Sequence, residues 1–329
     1  MGVSAAYDRK RLAQIFHTQH NVVSRRQLLE CGMDPGAIHR RTRGDGPWMP
    51  VLPGIYACGS LSDQGRETAA CLYAGPAGIV TGAFALRHFG LAAPLPGCIE
   101  VLVPVDVRRQ SARFVRLIRT ARMPAQIYHA GPIQIAEPTR AAADATRGYQ
   151  RISDARAVIC EVIQRQLCCL AGLRQELNEG PRQGSALLLR SLRDAARGIW
   201  SAAEGDLMDL IDQSDLPQPE YNVALYAADG TFLGIVDTWW QRAGVAGEVD
   251  SQEFHFLPQD WRETLKRHNR ITKHRVQLMH FPPHRIKTDG TGVVGELRDA
   301  ITSGLAAPPL PIRGVPKRMD GAIDIARKR

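Results

Sequence analysis

The sequence contains no apolar run as long as the roughly eighteen residues that a membrane-spanning helix needs. No apolar core of a signal peptide follows the charged residues 8–11. The seven cysteines are an odd number, and no two of them are spaced Cys-x-x-Cys. These absences argue against a membrane protein, a secreted protein held by disulfides and a cysteine-based zinc site. We therefore expect a cytoplasmic protein whose cysteines are reduced thiols.

Acidic residues are fewer than basic ones: 33 Asp and Glu stand against 42 Lys and Arg, which gives a net charge of +9 at pH 7. Such a balance favours a polyanionic partner. No long basic amphipathic helix occurs, so the favoured partner is nucleic acid rather than a membrane surface. With 329 residues, of which 44% are hydrophobic, the chain is expected to fold into two or three globular domains.

Residues 236–251 predict two strands joined by a hairpin, because apolar and β-branched residues fill both runs. Side chains alternate along a strand, so Glu248 and Asp250 should point to the same side. If Asp237 lies opposite them on the first strand, three carboxylates crowd one place. Such crowding is unfavourable unless a cation joins the carboxylates or one of them is protonated, and oxygen ligands suit Mg²⁺. A solvated acidic strand end is the alternative.

The elements around this hairpin predict a mixed sheet flanked by helices. Residues 198–305 resemble the very-short-patch-repair-like endonuclease domain of the PD-(D/E)xK superfamily. The most specific part of the resemblance is the Glu-Val-Asp-Ser run with His255, followed by an Arg-rich helix. The superfamily usually has Lys two residues after its Glu, and here that place is Asp250.

The resemblance implies Mg²⁺-dependent hydrolysis of DNA phosphodiesters. Asp237 and Glu248 would hold the metal, and Glu204 from the first helix would join them. Asp250 cannot act as the missing cation, so His255 or Lys266 would orient or deprotonate the water. For His255, an ordinary surface histidine after a strand is the alternative.

Residues 8–57 predict three short helices followed by a hairpin, which is the layout of a winged helix-turn-helix. Ser24 and Gln27 form the pattern of a capping box, and Asp34-Pro35 is a strong helix start. The third helix is basic, which suits the major groove of duplex DNA, although a merely solvated basic face is the alternative. The predicted DNA-contacting residues are Arg25, Arg26, His39, Arg40, Arg41 and Arg43.

This N-terminal block resembles the winged-helix domain of AbiEi-type antitoxins, on the strength of its Val-Val-Ser-Arg-Arg-Gln-Leu-Leu and Leu-Pro-Gly-Ile-Tyr runs. In that family the module represses a toxin–antitoxin operon, so the resemblance implies transcription regulation and a cognate toxin. Two hypotheses therefore remain open: a DNA endonuclease, or an antitoxin and repressor whose nuclease-like domain is inactive. DNA binding is common to both.

The expected architecture is an α+β or α/β multidomain protein with an N-terminal winged helix-turn-helix, an α+β middle segment and a C-terminal restriction-endonuclease-like mixed sheet flanked by helices. The predicted segments are a winged helix-turn-helix at 1–62, an α+β AbiEi-like extension at 63–150, a helical connector at 151–197, the nuclease-like domain at 198–305 and a disordered basic tail at 306–329.

Overall fold

A computed structural model of the chain describes residues 7–250 and 258–317. The chain divides into two compact units between Gly148 and Tyr149. The described residues form thirteen helices and three sheets, which is a mixed α and β architecture. All seven cysteines are free thiols, as predicted. Among the helices of the described residues, none is both long enough and apolar enough to cross a membrane.

The first part of unit 1 has three helices and a three-stranded sheet of order β1-β3-β2. Its elements are α1 (Arg9–Thr18), β1 (Val22–Ser24), α2 (Arg25–Glu30), α3 (Pro35–Thr42), β2 (Trp48–Leu52) and β3 (Ile55–Cys58). The predicted helix starts are confirmed, because Ser24 and Gln27 form the capping box and Asp34 accepts the Ala37 N–H. Apolar side chains of all three helices pack with Val23 and Trp48 in one core.

The second part of unit 1 contains a five-stranded sheet of order β6-β5-β4-β8-β7. Its elements are α4 (Asp63–Ala74), β4 (Ile79–Val80), α5 (Gly82–His88), β5 (Ile99–Pro104), β6 (Val115–Thr120), β7 (Ile127–Ala130), β8 (Ile133–Ala136) and α6 (Pro138–Gly148). The strands β5 and β8 are almost wholly buried, whereas β7 at the edge of the sheet is mostly exposed.

Unit 2 is a second five-stranded sheet with helices around it. Residues 151–197, predicted as a connector, contribute α7 (Ile152–Gln164), α8 (Leu170–Glu179) and α9 (Ala186–Ala196). The other elements are α10 (Ala202–Asp212), β9 (Glu220–Ala227), β10 (Phe232–Trp240), β11 (Val245–Val249), α11 (Pro258–Thr272), β12 (Gln277–Phe281), α12 (Pro283–Thr288), α13 (Gly290–Ala306) and β13 (Ile312–Pro316). The strand order is β12-β11-β10-β9-β13, and only β11 and β12 pair in parallel, so the sheet is mixed, as predicted.

The two faces of this sheet are covered by different helices. Val245 and Phe281 pack on α10, α12 and α13, whereas Ala246 packs with Ile271 of α11. Because side chains alternate along a strand, Glu248 points to the same face as Ala246, toward α11. The sheet therefore directs its acidic hairpin residue at the Arg-rich helix.

Arg156 fixes the helix that precedes the sheet. Its guanidinium is 1% exposed, donates from Nε to Asp194 at 2.8 Å and binds both oxygens of Asp209 at 2.7 Å. A side chain at Gly205 would meet Arg156 within 2.6 Å, so glycine is needed there for this close approach. The ion cluster thus ties α7, α9 and α10 together.

The disordered tail predicted for residues 306–329 is wrong over Ile312–Pro316. These residues form β13, which pairs antiparallel with β9 along the edge of the sheet, and Ile312 is buried. The prolines that suggested disorder are compatible with an edge strand, because Pro311 precedes it and Pro316 ends it. Gln241 adds a side-chain bond to the Ile312 carbonyl at 2.7 Å.

Deletion of residues 310–329 should therefore lower the melting temperature by about 5 °C or more, because the chain loses a paired strand and a buried isoleucine worth roughly 1.5–3 kcal/mol. A chain that ends at Lys317 keeps β13 and is the control. Thermal unfolding followed by circular dichroism compares the two truncations, and equal melting temperatures would show that β13 contributes nothing to stability.

Candidate metal centre

Polar side chains lie in a row across the sheet of unit 2. The register that pairs Thr238 with Gly247 sets Asp237 of β10 opposite Glu248 of β11, as predicted. The parallel register of β11 and β12 then pairs Glu248 with His280. Asp237 Oδ2 accepts the Val249 N–H at 2.7 Å, which holds this carboxylate against the neighbouring strand. Strand register thus brings together residues that are far apart in the sequence.

Glu248 is the buried centre of this row, with 3% of its surface exposed. Its Oε2 accepts from Arg267 Nη2 at 2.9 Å and lies 3.1 Å from His268 Nε2 and 3.9 Å from His280 Nδ1. Its Oε1 is buried and has no hydrogen-bond donor among the described residues. Burial raises the pKa of Glu248, and the charges of Arg267 and His280 oppose that rise. One carboxylate oxygen is thus crowded by nitrogen atoms while the other is unsatisfied.

Helix α11 supplies two of these nitrogen groups because it packs closely on β10. Gly234 has no side chain, and a Cβ there would meet Ile271 at 2.9 Å and Arg267 at 3.1 Å. Arg267 Nη1 also donates to the Ile235 carbonyl at 2.8 Å. These contacts fix the distance between α11 and β10, so that His268 lies close to Glu248.

The two histidines stand beside each other. The His268 and His280 rings are 4.4 Å apart between centroids. His280 Nδ1 lies 3.2 Å from Asp250 Oδ1, and this contact is the main cause that raises the pKa of His280. One ligand atom from each of Glu248, His268 and His280 lies within 4.8 Å of the other two. The three residues therefore form a possible metal-binding triad.

Glu204 reaches the same region from α10, whose N-terminus is capped by Ser201. Its Oε2 accepts from the Trp200 N–H at 2.9 Å and from Asn222 Nδ2 at 2.6 Å. Asn222 is buried and has a φ of 48°, a left-handed conformation that is costly within a strand. Its side chain also donates to the Gly198 carbonyl at 2.7 Å, so the strained residue is fixed on two sides.

The carboxyl groups of Glu204 and Asp237 are both hard to ionise. Burial raises the pKa of Glu204 to about 7, and the charge of Asp237 adds to that rise. Burial likewise raises the pKa of Asp237 to about 7, with the charge of Glu248 in the same direction, while the Val249 N–H opposes it. The crowding of like charges expected from the sequence is therefore present, and a cation would relieve it.

One of the predicted catalytic residues is not part of this arrangement. The prediction for Lys266 is wrong, because its side chain is 71% exposed and pairs with Glu263 at 2.7 Å. The next two residues of the helix, Arg267 and His268, take the positions that face the sheet. His255 lies outside the described residues. Asp250 contacts His280 rather than one of the carboxylates that were expected to hold the metal.

Sequence reasoning missed Arg267, His268, His280 and Asn222. His280 had a usable signal: it alternates with Val276 and Leu278, which face α11, so strand periodicity puts it on that side. His268 and Arg267 precede the buried Ile271 by three and four residues, which is the spacing of one helix face. Neither signal names Glu248 as the partner, because that contact depends on which strands are adjacent.

The six predicted DNA-contacting residues differ in their exposure and in the contacts that they already make. Arg25, His39 and Arg40 are exposed. Arg26 pairs with Glu30 at 2.8 Å, and Arg43 pairs with Asp45 at 3.0 Å. The guanidinium of Arg41 lies over the rings of Tyr7 and Trp48, at 5.4 and 5.6 Å from their centroids, so Arg41 is part of the packing.

No protein-family model matches this chain, and no curated protein matches it. A solved structure that it resembles is the crystal structure of the RV2827C protein from Mycobacterium tuberculosis. The two chains are 18% identical, the match covers 66% of this chain and 88% of that one, and the TM-score is 0.39. That likeness is too distant to bear on the site or on the function.

Glu204→Gln should stabilise the metal-free protein at pH 8 by roughly 1–3 kcal/mol, because it removes a carboxyl group whose ionisation the folded state opposes. Each unit by which the pKa is raised corresponds to about 1.4 kcal/mol. The folded-state pKa of Glu204 is raised, so its ionisation costs the wild type stability as the pH rises from about 4.5 to about 7. The glutamine variant lacks this contribution and keeps only the similar loss that comes from Asp237. The gain should therefore vanish near pH 4.5. Denaturant unfolding in a chelator measures it, with Glu220→Gln, an exposed strand carboxylate, as the control. A gain that does not change with pH would contradict the assignment.

Proposed function

We propose that this protein binds duplex DNA in the cytoplasm and hydrolyses DNA phosphodiesters at the site of Asp237 and Glu248, with Mg²⁺ as the cofactor. The observation that carries the proposal is the convergence of Glu204, Asp237 and Glu248, from a helix and two strands, in a place where burial and mutual repulsion oppose their ionisation. Buried carboxylates that are kept together at this cost are typical of a site that binds a cation.

The donor set fits Mg²⁺, which prefers carboxylate oxygens. Asp237 and Glu248 would hold the ion, and Glu204, fixed by Asn222, would act from the outer shell. A bound Mg²⁺ supplies a Lewis acid and an activated water for phosphodiester hydrolysis. The unsatisfied Oε1 of Glu248 is a further observation in favour, because a buried acceptor without a donor is costly.

Arg267 is our candidate for the positive charge that the superfamily Lys would provide. Its guanidinium already contacts Glu248 and is anchored to the Ile235 carbonyl. An arginine in this place can bind a phosphate oxygen with two parallel hydrogen bonds. Asp250, which occupies the usual Lys position, would instead orient His280 through the contact to Nδ1.

For the N-terminal part we propose a winged helix-turn-helix, in which α2 and α3 approach the major groove and the β2–β3 hairpin is the wing. The exposed side chains of Arg25, His39 and Arg40 support this proposal, because they are available for phosphate or base contacts. Arg41 is better assigned to packing on Trp48.

The second candidate function is an AbiEi-type antitoxin and transcriptional repressor with an inactive nuclease-like domain and a cognate toxin as partner. Two observations favour it: Asp250 stands in the usual Lys position, and Arg267 neutralises Glu248 without any metal. DNA binding without cleavage is the behaviour that separates this candidate from the first.

Replacing Arg40 and Arg43 together with Ala should weaken duplex binding by about tenfold at low salt and reduce the salt dependence of the affinity, because two phosphate contacts are lost. The control is the double variant Arg87→Ala with Arg108→Ala, which removes the same charge from exposed positions elsewhere in unit 1. Fluorescence anisotropy at two salt concentrations measures both. Equal losses in the two double variants would point to net charge rather than to α3.

Incubation of the full chain with plasmid DNA should give nicked or linear product with Mg²⁺ and none with a chelator. Asp237→Asn should abolish cleavage while DNA affinity stays within about twofold, because the N-terminal contacts are untouched; Asp299→Ala, an exposed acid on α13, should cleave normally. Binding of DNA without any cleavage by the wild type would overturn the nuclease and leave the repressor.

A further inference from the structure

We propose that Glu248, His268 and His280 form a binding site for a divalent first-row transition-metal ion, with Zn²⁺ as the expected occupant. Two imidazole nitrogens and one carboxylate oxygen suit Zn²⁺ and its neighbours, whereas Mg²⁺ prefers an all-oxygen set. This inference goes beyond the proposed hydrolysis, with which it shares Glu248 and the neighbouring pair His280 and Asp250. It concerns metal binding alone and does not require that the protein cleave DNA.

The separations between the ligand atoms are close to those of a zinc site. Metal–ligand bonds of about 2.0–2.2 Å in a tetrahedron place the ligand atoms roughly 3.3–3.6 Å from one another. Glu248 Oε2 is 3.1 Å from His268 Nε2 and 3.9 Å from His280 Nδ1, and all three atoms fall within 4.8 Å. Movements of well under 1 Å for the first two pairs would complete the geometry.

Each ligand is carried by a regular element that other contacts hold in place. Glu248 and His280 are register partners in the parallel pair β11–β12. His268 lies on α11, which is fixed by buried Ile271 and by the bond from Arg267 to the Ile235 carbonyl. A site built on strands and a helix needs little reorganisation when the ion binds.

The site also has a reason to accept a cation. Glu248 is 3% exposed, and its Oε1 has no donor among the described residues, so this acceptor is buried and unsatisfied. An ion bound through Oε1 as well as Oε2 would offset this cost. Arg267 would give up its bond to Oε2 and keep its bond to Ile235, because the two bonds use different nitrogen atoms.

Three protein ligands leave the fourth tetrahedral position open for water or for Asp250, whose carboxylate lies 3.1 Å from His280 Nδ1. An open fourth position is characteristic of catalytic rather than structural zinc sites. The ion would therefore be exchangeable and removable by chelation, without loss of the fold.

The test is isothermal titration calorimetry of the chelator-treated full chain with ZnCl₂, and with MgCl₂ at the same concentrations. Zn²⁺ should bind with one high-affinity equivalent at this site and raise the melting temperature by several degrees when in large excess over Kd. Mg²⁺ should displace Zn²⁺ only when it is in large excess, because both ions would use Glu248. His268→Ala and His280→Ala should each weaken Zn²⁺ binding by more than the roughly 10- to 100-fold that loss of an outer-shell partner costs. His284→Ala, an exposed histidine of the same unit, is the matched control and should bind normally.

Cobalt substitution identifies the ligands. Co²⁺ in this site should show visible d–d bands of a four-coordinate nitrogen and oxygen set, without the thiolate charge-transfer band that cysteine ligands would give. His268→Gln and His280→Gln, which keep a polar side chain, guard against unfolding of the alanine variants and should lose the same bands. Unchanged zinc affinity in both folded histidine variants, or a thiolate band, would overturn the site. Loss of zinc binding with intact Mg²⁺-dependent cleavage, and the reverse, are distinguishable results, so the two proposals can fail separately.

Discussion

The arrangement of unit 2 depends on one constraint: the Glu248 carboxylate lies inside the protein, and a buried charge must be compensated. The compensation comes from α11, which brings Arg267 and His268 onto the sheet, and from β12, which brings His280. Ala246, two residues earlier on the same face, lies against the apolar part of that helix. A single strand therefore alternates between a hydrophobic contact and an electrostatic contact with the same neighbour, and both set the position of α11.

A second group of charges, around Arg156, supports the site from the side of α10, and its role is structural. Arg156 is closed off from water and joins three helices through Asp194 and Asp209, so removal of this cation would leave Asp194 without its arginine partner and Asp209 with Arg190 alone. Because α10 is one of those helices, the position of Glu204 depends on an ion cluster that takes no part in the candidate chemistry. In this supporting cluster the buried carboxylates are neutralised by an arginine, whereas Glu204 and Asp237 face each other with like charge.

The acidic hairpin, the helix starts at Ser24 and Asp34 and the mixed sheet could be predicted from the sequence, because each depends on local periodicity or on capping residues. The histidines at 268 and 280 could not be assigned to Glu248, since that contact requires knowing that β11 and β12 are adjacent and parallel. The charge of Lys266 suggested a place at the site, but the next residue of the helix, Arg267, is the one that contacts Glu248. Strand β13 was missed because its prolines indicated disorder, while the pairing with β9 is a long-range interaction.

The row of site residues across the sheet has a consequence for folding. The β10–β11 hairpin alone can bring Asp237 to Glu248, but His280 joins them only after the parallel crossover through α11 has closed, and parallel pairing carries a large loop-closure cost. The ligand set is therefore absent from any folding intermediate that lacks this crossover. An ion bound there would strengthen contacts that form late, so it should slow the opening of the native sheet far more than it speeds its assembly.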